Sequence, residues 1–196
     1  MNLPNQLTLG RLALTIGFLA AFFSSLPAAE TIALALFVVA SITDHYDGKI
    51  ARRDGLITNF GILMDPLVDK ILVCSAFIAF VGRDLMPAWM VVIIVARELS
   101  ITGLRLLAAS KNIVLAAEGF GKHKTVSQIV AIVAVLVQIS YPQWGEWSRA
   151  LFAYPLLGFP WVEAVAELSK WLAVFFTALS GFIYLRRNSH LYLEDL

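Results

Sequence analysis

Six apolar runs, at residues 7–26, 31–50, 61–81, 87–109, 122–139 and 162–185, occupy most of this chain and leave few folds open to it. A helix needs about 20 apolar residues to cross the hydrocarbon core of a bilayer. Inside that core every backbone N–H and C=O must be bonded within the chain, so runs of this length form helices there. Composition agrees: 59% of the 196 residues are hydrophobic and 15% charged, with a mean hydropathy of +0.78, which does not describe a water-soluble core. The expectation is an all-α integral membrane protein, a bundle of six transmembrane helices forming one domain over residues 1–196. A formal net charge of +1 makes no case for nucleic-acid binding. The single cysteine, Cys74, lies in an apolar run and reads as packing; alone it forms no disulfide framework or zinc cluster.

The first run raises the question of a cleaved leader, since residues 12–23 are apolar and Ser-Ser-Leu-Pro-Ala-Ala follows. Arg11 is the only basic residue ahead of that run, and Asn5, Thr8 and Arg11 read as the entry to a retained helix. Residues 141–161, rich in Trp, Tyr, Pro and Gly, read as an interfacial segment between the fifth and sixth spans. With six spans both termini share a side. Arg11, Lys49, Arg52, Arg53, Lys70, Arg105, Lys111, Lys122, Lys124, Arg186 and Arg187 fall on that side, against Arg83, Arg149 and Lys170 on the other. This bias predicts cytoplasmic termini and a plasma or bacterial inner membrane.

Spanning the end of the second run and the start of the third is DHYDGKIARRDGLITNFGILMDPLVDK, from Asp44 to Lys70. Asp44 and Asp47 are three residues apart and Asp65 and Asp69 four apart, spacings that give each pair one helix face. Four carboxylates brought together repel unless cations hold them, which suggests a divalent metal site facing the cytoplasm. Two other readings are open on charge alone: a structural ion-pair network with Arg52, Arg53 and Lys70, or a cation- or proton-coupled transporter. Transport favours carboxylates at the midplane and interrupted helices in related halves; here the acids lie near one interface and no inverted repeat is visible.

The spacing carries more than the charge. Asp44, Asp47, Gly48, Ala51, Arg52, Gly61, Asp65 and Asp69 satisfy D-x2-D-G-x2-A-R-x8-G-x3-D-x3-D at every fixed position. The stretch resembles the signature of the CDP-alcohol phosphotransferases, membrane enzymes of phospholipid synthesis. The resemblance implies transfer of a phosphatidyl or related group from a CDP-linked donor to an alcohol, with release of CMP. It further implies two Mg2+ ions, Mn2+ being suited as well, and a homodimer. In this reading Asp44 bridges both metals, Asp47 binds one and Asp65 bridges from the third helix. Asp69 is the catalytic base and also touches the second metal. Gly48, Arg52, Thr58 and Gly61 fall in the CDP-diacylglycerol site, as do Asn5, Thr8 and Arg11. Ordinary alternatives exist: helix packing for the glycines, and a helix cap with a snorkelling arginine for the first-helix residues.

The motif leaves the acceptor open. Arg97, Glu98, Gly103, Leu104 and Arg105, then 114–117 and Gly121-Lys122-His123-Lys124-Thr125, resemble the branch of the family that uses sn-glycerol 3-phosphate. Independently, an anionic acceptor needs cations, and Arg97, Arg105, Lys122 and Lys124 supply them. Arg97 and Arg105 are eight residues, about two turns, apart and read as nearly one face. Inositol phosphate, serine and phosphatidylglycerol are the competing acceptors. His45 stands between two of the aspartates, where helix geometry should turn its side chain about 100° from each neighbouring position, so no catalytic role is expected of it.

Overall fold

A computed structural model describes residues 3–53, 59–111, 113, 120–156 and 158–189, with side chains except at 3–5, 7, 44–53, 59–66, 69, 120–122 and 156. Six long helices account for most of them: α1 Leu3–Phe22, α2 Ala29–Arg53, α3 Asn59–Gly82, α4 Ala88–Ser110, α5 Phe120–Ser140 and, last, α7 Trp161–Arg187. Between α5 and α7 come one 3-10 turn, Tyr141–Gln143, a short helix α6, Glu146–Phe152, and a two-residue hairpin. In the hairpin β1 Pro155–Leu156 runs antiparallel to β2 Phe159–Pro160. Gly158 turns it with φ +90°, a backbone conformation glycine adopts without strain.

The helix ends follow local chemistry. α1 starts four residues before the apolar run because Pro4 suits a first turn, where its missing N–H is no loss. It stops at Phe22, short of the expected end, where the serines and Pro27 break the pattern. α3 passes through Pro66, which cannot donate to the Ile62 carbonyl, yet the helix continues.

α1 packs on α2 and α3, α2 on α5, α5 on α7, and α4 on both α7 and α3. The inward stripe of α1 is Thr8, Arg11, Thr15, Phe18 and Phe22, all buried at alternating three- and four-residue steps. In α2 the stripe is Ala29, Ala33, Phe37 and Ala40, the three alanines being small enough to let α1 approach closely. Phe18, Phe22, Phe37 and Phe80 join the first three helices through ring contacts at 5.7–5.8 Å. The outward faces are the apolar ones: Ile16, Val92 and Phe182 are each more than 60% exposed, with Ile78, Val126 and Phe175 alongside. Apolar exposure spread over every long helix requires an apolar surrounding.

By length and composition, two of the described stretches, His123–Gln143 and Trp161–Arg187, are long and apolar enough to cross a membrane. The apolar parts of α1, α2 and α3, Thr8–Phe22, Ala29–Thr43 and Lys70–Gly82, are shorter. In α2 the charged end belongs to the acidic motif, and α4 is interrupted by Arg97, Glu98 and Arg105.

One end of the bundle is clasped by polar contacts. Arg83, just past α3, donates to Glu30 at 3.0 Å and to the Phe22 carbonyl at 3.2 Å, and lies over the Phe22 ring. Gln143 donates to the second oxygen of Glu30, and the Trp144 indole donates to Thr31 at 2.8 Å. Lys170 of α7 donates to Glu167 and to the Leu85 carbonyl. The residues read as interfacial pack there among themselves, Phe152 stacking on Trp161 at 5.5 Å, while Trp147, Tyr154 and Phe159 stay exposed. The opposite end therefore gathers the start of α1, the end of α2, the start of α3, the end of α4, the start of α5 and the end of α7.

Candidate active site at the motif end of the bundle

That second end receives every helix segment singled out in the sequence. α2 carries Asp44, Asp47, Gly48 and Arg52 within unbroken helix, and α3 carries Gly61, Asp65 and Asp69. The side chains of these residues lie outside the described set, as do that of Asn5 and all of Thr58. Both acidic spacings fall in continuous helix at one end of the bundle, and four carboxylates are the oxygen donors that a hard divalent cation takes. The donor chemistry fits a metal site of that kind.

Around the motif the described side chains are informative. Thr8 and Arg11 are each 1% exposed, on the α1 face that packs against α2 and α3. This corrects the snorkelling alternative: Arg11 does not reach outward to a headgroup but enters the bundle. Burying a guanidinium costs several kcal/mol unless anions accompany it, so its place against the two acid-bearing helices is the chemically sensible one.

Between α4 and α5 the structure makes a contact that the sequence does not announce. Glu98 is 6% exposed, and one of its oxygens accepts from Lys124 of α5 and from Arg97 at 3.3 Å. Lys124 is itself buried. Lys70 of α3, the residue after Asp69, acts electrostatically on the same carboxylate. Of the four basic residues expected around an acceptor phosphate, two therefore meet, Arg97 and Lys124. Lys122 has its side chain outside the described set, and His123 is exposed.

Arg105 goes elsewhere. Its Nε donates to the Tyr184 hydroxyl at 3.4 Å, and its guanidinium lies 5.9 Å from that ring. Eight residues of helix leave two side chains about 80° apart around the axis, so the expectation of nearly one face was too generous. Arg97 turns into the bundle and Arg105 is exposed at its end. The 114–117 segment lies outside the described residues.

Sequence reasoning missed two participants. Glu98 was noticed only as part of a resemblance, because nothing in the chain pairs it with a lysine 26 positions on. Gly181 of α7 carries no signal in the sequence; a Cβ there would stand 2.8 Å from Arg97 Cγ.

The same end of the bundle thus holds a buried arginine, an acidic motif carried on two helices and a cationic pair on two more, in helices whose outward faces are apolar. The chain belongs to the CDP-alcohol phosphatidyltransferase family, whose model matches residues 1–179. It is 41% identical to the CDP-diacylglycerol--glycerol-3-phosphate 3-phosphatidyltransferase of Bacillus subtilis (strain 168), over 95% of each chain. It is 32% identical to the protein of the same name from Rickettsia bellii (strain RML369-C), over 94% of each chain. A probable phosphatidylglycerophosphate synthase of Mycobacterium tuberculosis is 38% identical, over 95% of this chain and 81% of the relative.

Proposed function

We propose that this protein is a phosphatidylglycerophosphate synthase, transferring the phosphatidyl group of CDP-diacylglycerol to sn-glycerol 3-phosphate and releasing CMP. The observation that carries the choice of acceptor is the meeting of Arg97 and Lys124 on buried Glu98. Two cations against one carboxylate leave a net positive site, which an acceptor already bearing a phosphate matches and a neutral alcohol does not need. Relatives at 32–41% identity over nearly the whole chain carry this activity in their names.

In this reading the six long helices all cross the membrane, and the chain is one catalytic unit working as a homodimer. The motif end and both termini face the cytoplasm, where both water-soluble participants are met. Asp44, Asp47, Asp65 and Asp69 would hold two divalent cations, Mg2+ or Mn2+. When bound, such ions neutralise the donor diphosphate and the charge that develops on the leaving CMP oxygen. Arg11, Thr8 and Asn5 of α1, with Arg52, Gly48, Thr58 and Gly61, receive the nucleotide and diphosphate, Arg52 by its planar fork. Asp69 takes the proton of the acceptor hydroxyl. The freed oxygen attacks the lipid-bearing phosphorus, the bond from that phosphorus to the CMP oxygen breaks, and CMP departs with the electron pair. Arg97 and Lys124 grip the acceptor phosphate while this happens, and Lys122 and Arg105 line the approach.

The test is a product assay. Purified protein in detergent, given CDP-diacylglycerol and Mg2+, should release CMP in step with lipid product when sn-glycerol 3-phosphate is added. Serine, inositol phosphate and phosphatidylglycerol should leave CMP at background. CMP release with one of those three alone would move the chain to a neighbouring branch, and no release with any acceptor would remove the enzymatic reading.

A further inference from the structure

The cationic pair is held in place by two residues that touch no substrate in the reading above, and their geometry has a definite purpose. We propose that Glu98 and Gly181 are positioning residues of the acceptor-phosphate site: Glu98 draws cations from two helices to one point, and Gly181 provides the room in which the Arg97 stem lies. This rests on the acceptor assignment made under the proposed function.

Arg97 and Glu98 are sequence neighbours, so their side chains leave α4 about 100° apart. For Arg97 to reach the Glu98 carboxylate, its stem must fold sideways along α7, and it does so where α7 has no side chain. A Cβ at position 181 would lie 2.8 Å from Arg97 Cγ, closer than real Cβ atoms pack, while Arg97 Cβ at 3.7 Å would be an ordinary contact. Gly181 is buried in the middle of a helix, where glycine costs about 0.5–1 kcal/mol relative to alanine. Close approach by Arg97 explains its use there.

The pairing also leaves hydrogen-bonding capacity over. A guanidinium has five N–H donors and an ammonium three. One carboxylate oxygen accepts from both Arg97 and Lys124. Arg97 Nε is buried and has no hydrogen-bond partner among the described residues. A pair built only for stability would consume its donors and balance its charge. This one holds one carboxylate against two cations, with Lys70 adding a third positive field. The surplus suits a phosphate monoester, whose peripheral oxygens accept several N–H groups at once. A donor diphosphate offers similar oxygens, so the two substrates must be titrated separately.

The experiment measures steady-state kinetics of the full-length protein in detergent, varying sn-glycerol 3-phosphate and CDP-diacylglycerol in turn. Glu98→Gln should raise KM for glycerol 3-phosphate about ten- to a hundredfold, the factor for loss of one charge-assisted hydrogen bond. KM for CDP-diacylglycerol should stay within about twofold, because the perturbation reaches the acceptor alone. Glu98→Asp, which keeps the charge, should recover part of the loss. Gly181→Ala should raise the same KM by displacing Arg97. Gly17→Ala serves as control, since its added Cβ would meet only Leu36 at an ordinary 3.6 Å.

Unchanged acceptor KM in both Glu98→Gln and Gly181→Ala, in a wild type active on glycerol 3-phosphate, overturns the positioning role. So does an equal rise in both substrates' KM values. If Glu98→Gln does not fold, Gly181→Ala decides alone by the same criterion. A wild type that turns over only another acceptor refutes the functional reading itself, a result separable from either variant's behaviour.

Discussion

Consider the clasp opposite the site, and replace Glu30 by Gln. The Glu30 carboxylate pairs with Arg83 at 3.0 Å, with side-chain exposures of 16% and 35%, and also accepts from Gln143. Burial alone would raise its pKa. The Gln143 amide, the carboxylate's own backbone N–H and Arg83, by hydrogen bond and by charge, outweigh that and hold it below the ordinary 4.5. A folded-state pKa below the unfolded one stabilises the fold at pH above the unfolded value, and the stabilisation fades as pH falls through the folded value. Partly exposed pairs are screened, so the Glu30–Arg83 coupling should be about 1 kcal/mol at neutral pH, the upper end of the exposed range. For a chain of this size that is about 2–4 °C in Tm. The assay is thermal unfolding in detergent of wild type, Glu30→Gln, Arg83→Gln and the double variant, at pH 7.5 and again well below 4.5. The double-mutant cycle should give the coupling at neutral pH and lose it in acid. Coupling of zero at pH 7.5, or coupling undiminished in acid, would refute the account. Because the clasp is at the far end, KM for both substrates at pH 7.5 should be unchanged.

Further outcomes follow from the site and the interior. Asp69→Asn should abolish CMP release while leaving CDP-diacylglycerol binding largely intact, whereas Asp44→Asn should also lose metal-dependent binding; equal loss of donor affinity in both would argue against Asp69 as base. Treatment with EDTA should stop turnover, and Mg2+ or Mn2+ should restore it; full activity in the chelator would dismiss the metal site. Gln128 of α5 donates to Thr177 of α7 at 2.9 Å, both buried. Thr177→Val should therefore cost about 1 kcal/mol in unfolding experiments, and adding Gln128→Leu should recover much of it, since no amide is then left unpaired.

Helix positions were largely readable in the chain. Long apolar runs have one way to satisfy their backbone, and the starts and stops moved by only a few residues where Pro4 or the serines before Pro27 decided the matter. Residues 141–161 read as aromatic and interfacial, yet their path through a 3-10 turn, a seven-residue helix and a hairpin was not legible. That path depends on ring packing among Tyr141, Trp144, Phe152 and Trp161, contacts with no period in sequence. That Arg11 lies in the interior was not readable, because exposure is a property of neighbours and not of the residue itself.

By itself the sequence determined the kind of molecule and its motif: apolar runs compel helices in lipid, and spacings of three and four within one helix compel shared faces. Which helices touch was decided only in three dimensions. Glu98 and Lys124 stand 26 residues apart on α4 and α5, and Arg97 finds its seat against Gly181 on α7. The reason is physical: within a helix, geometry follows from residue number, whereas between helices it follows from how side-chain volumes fit, and a missing Cβ on one helix can set the direction of an arginine on another.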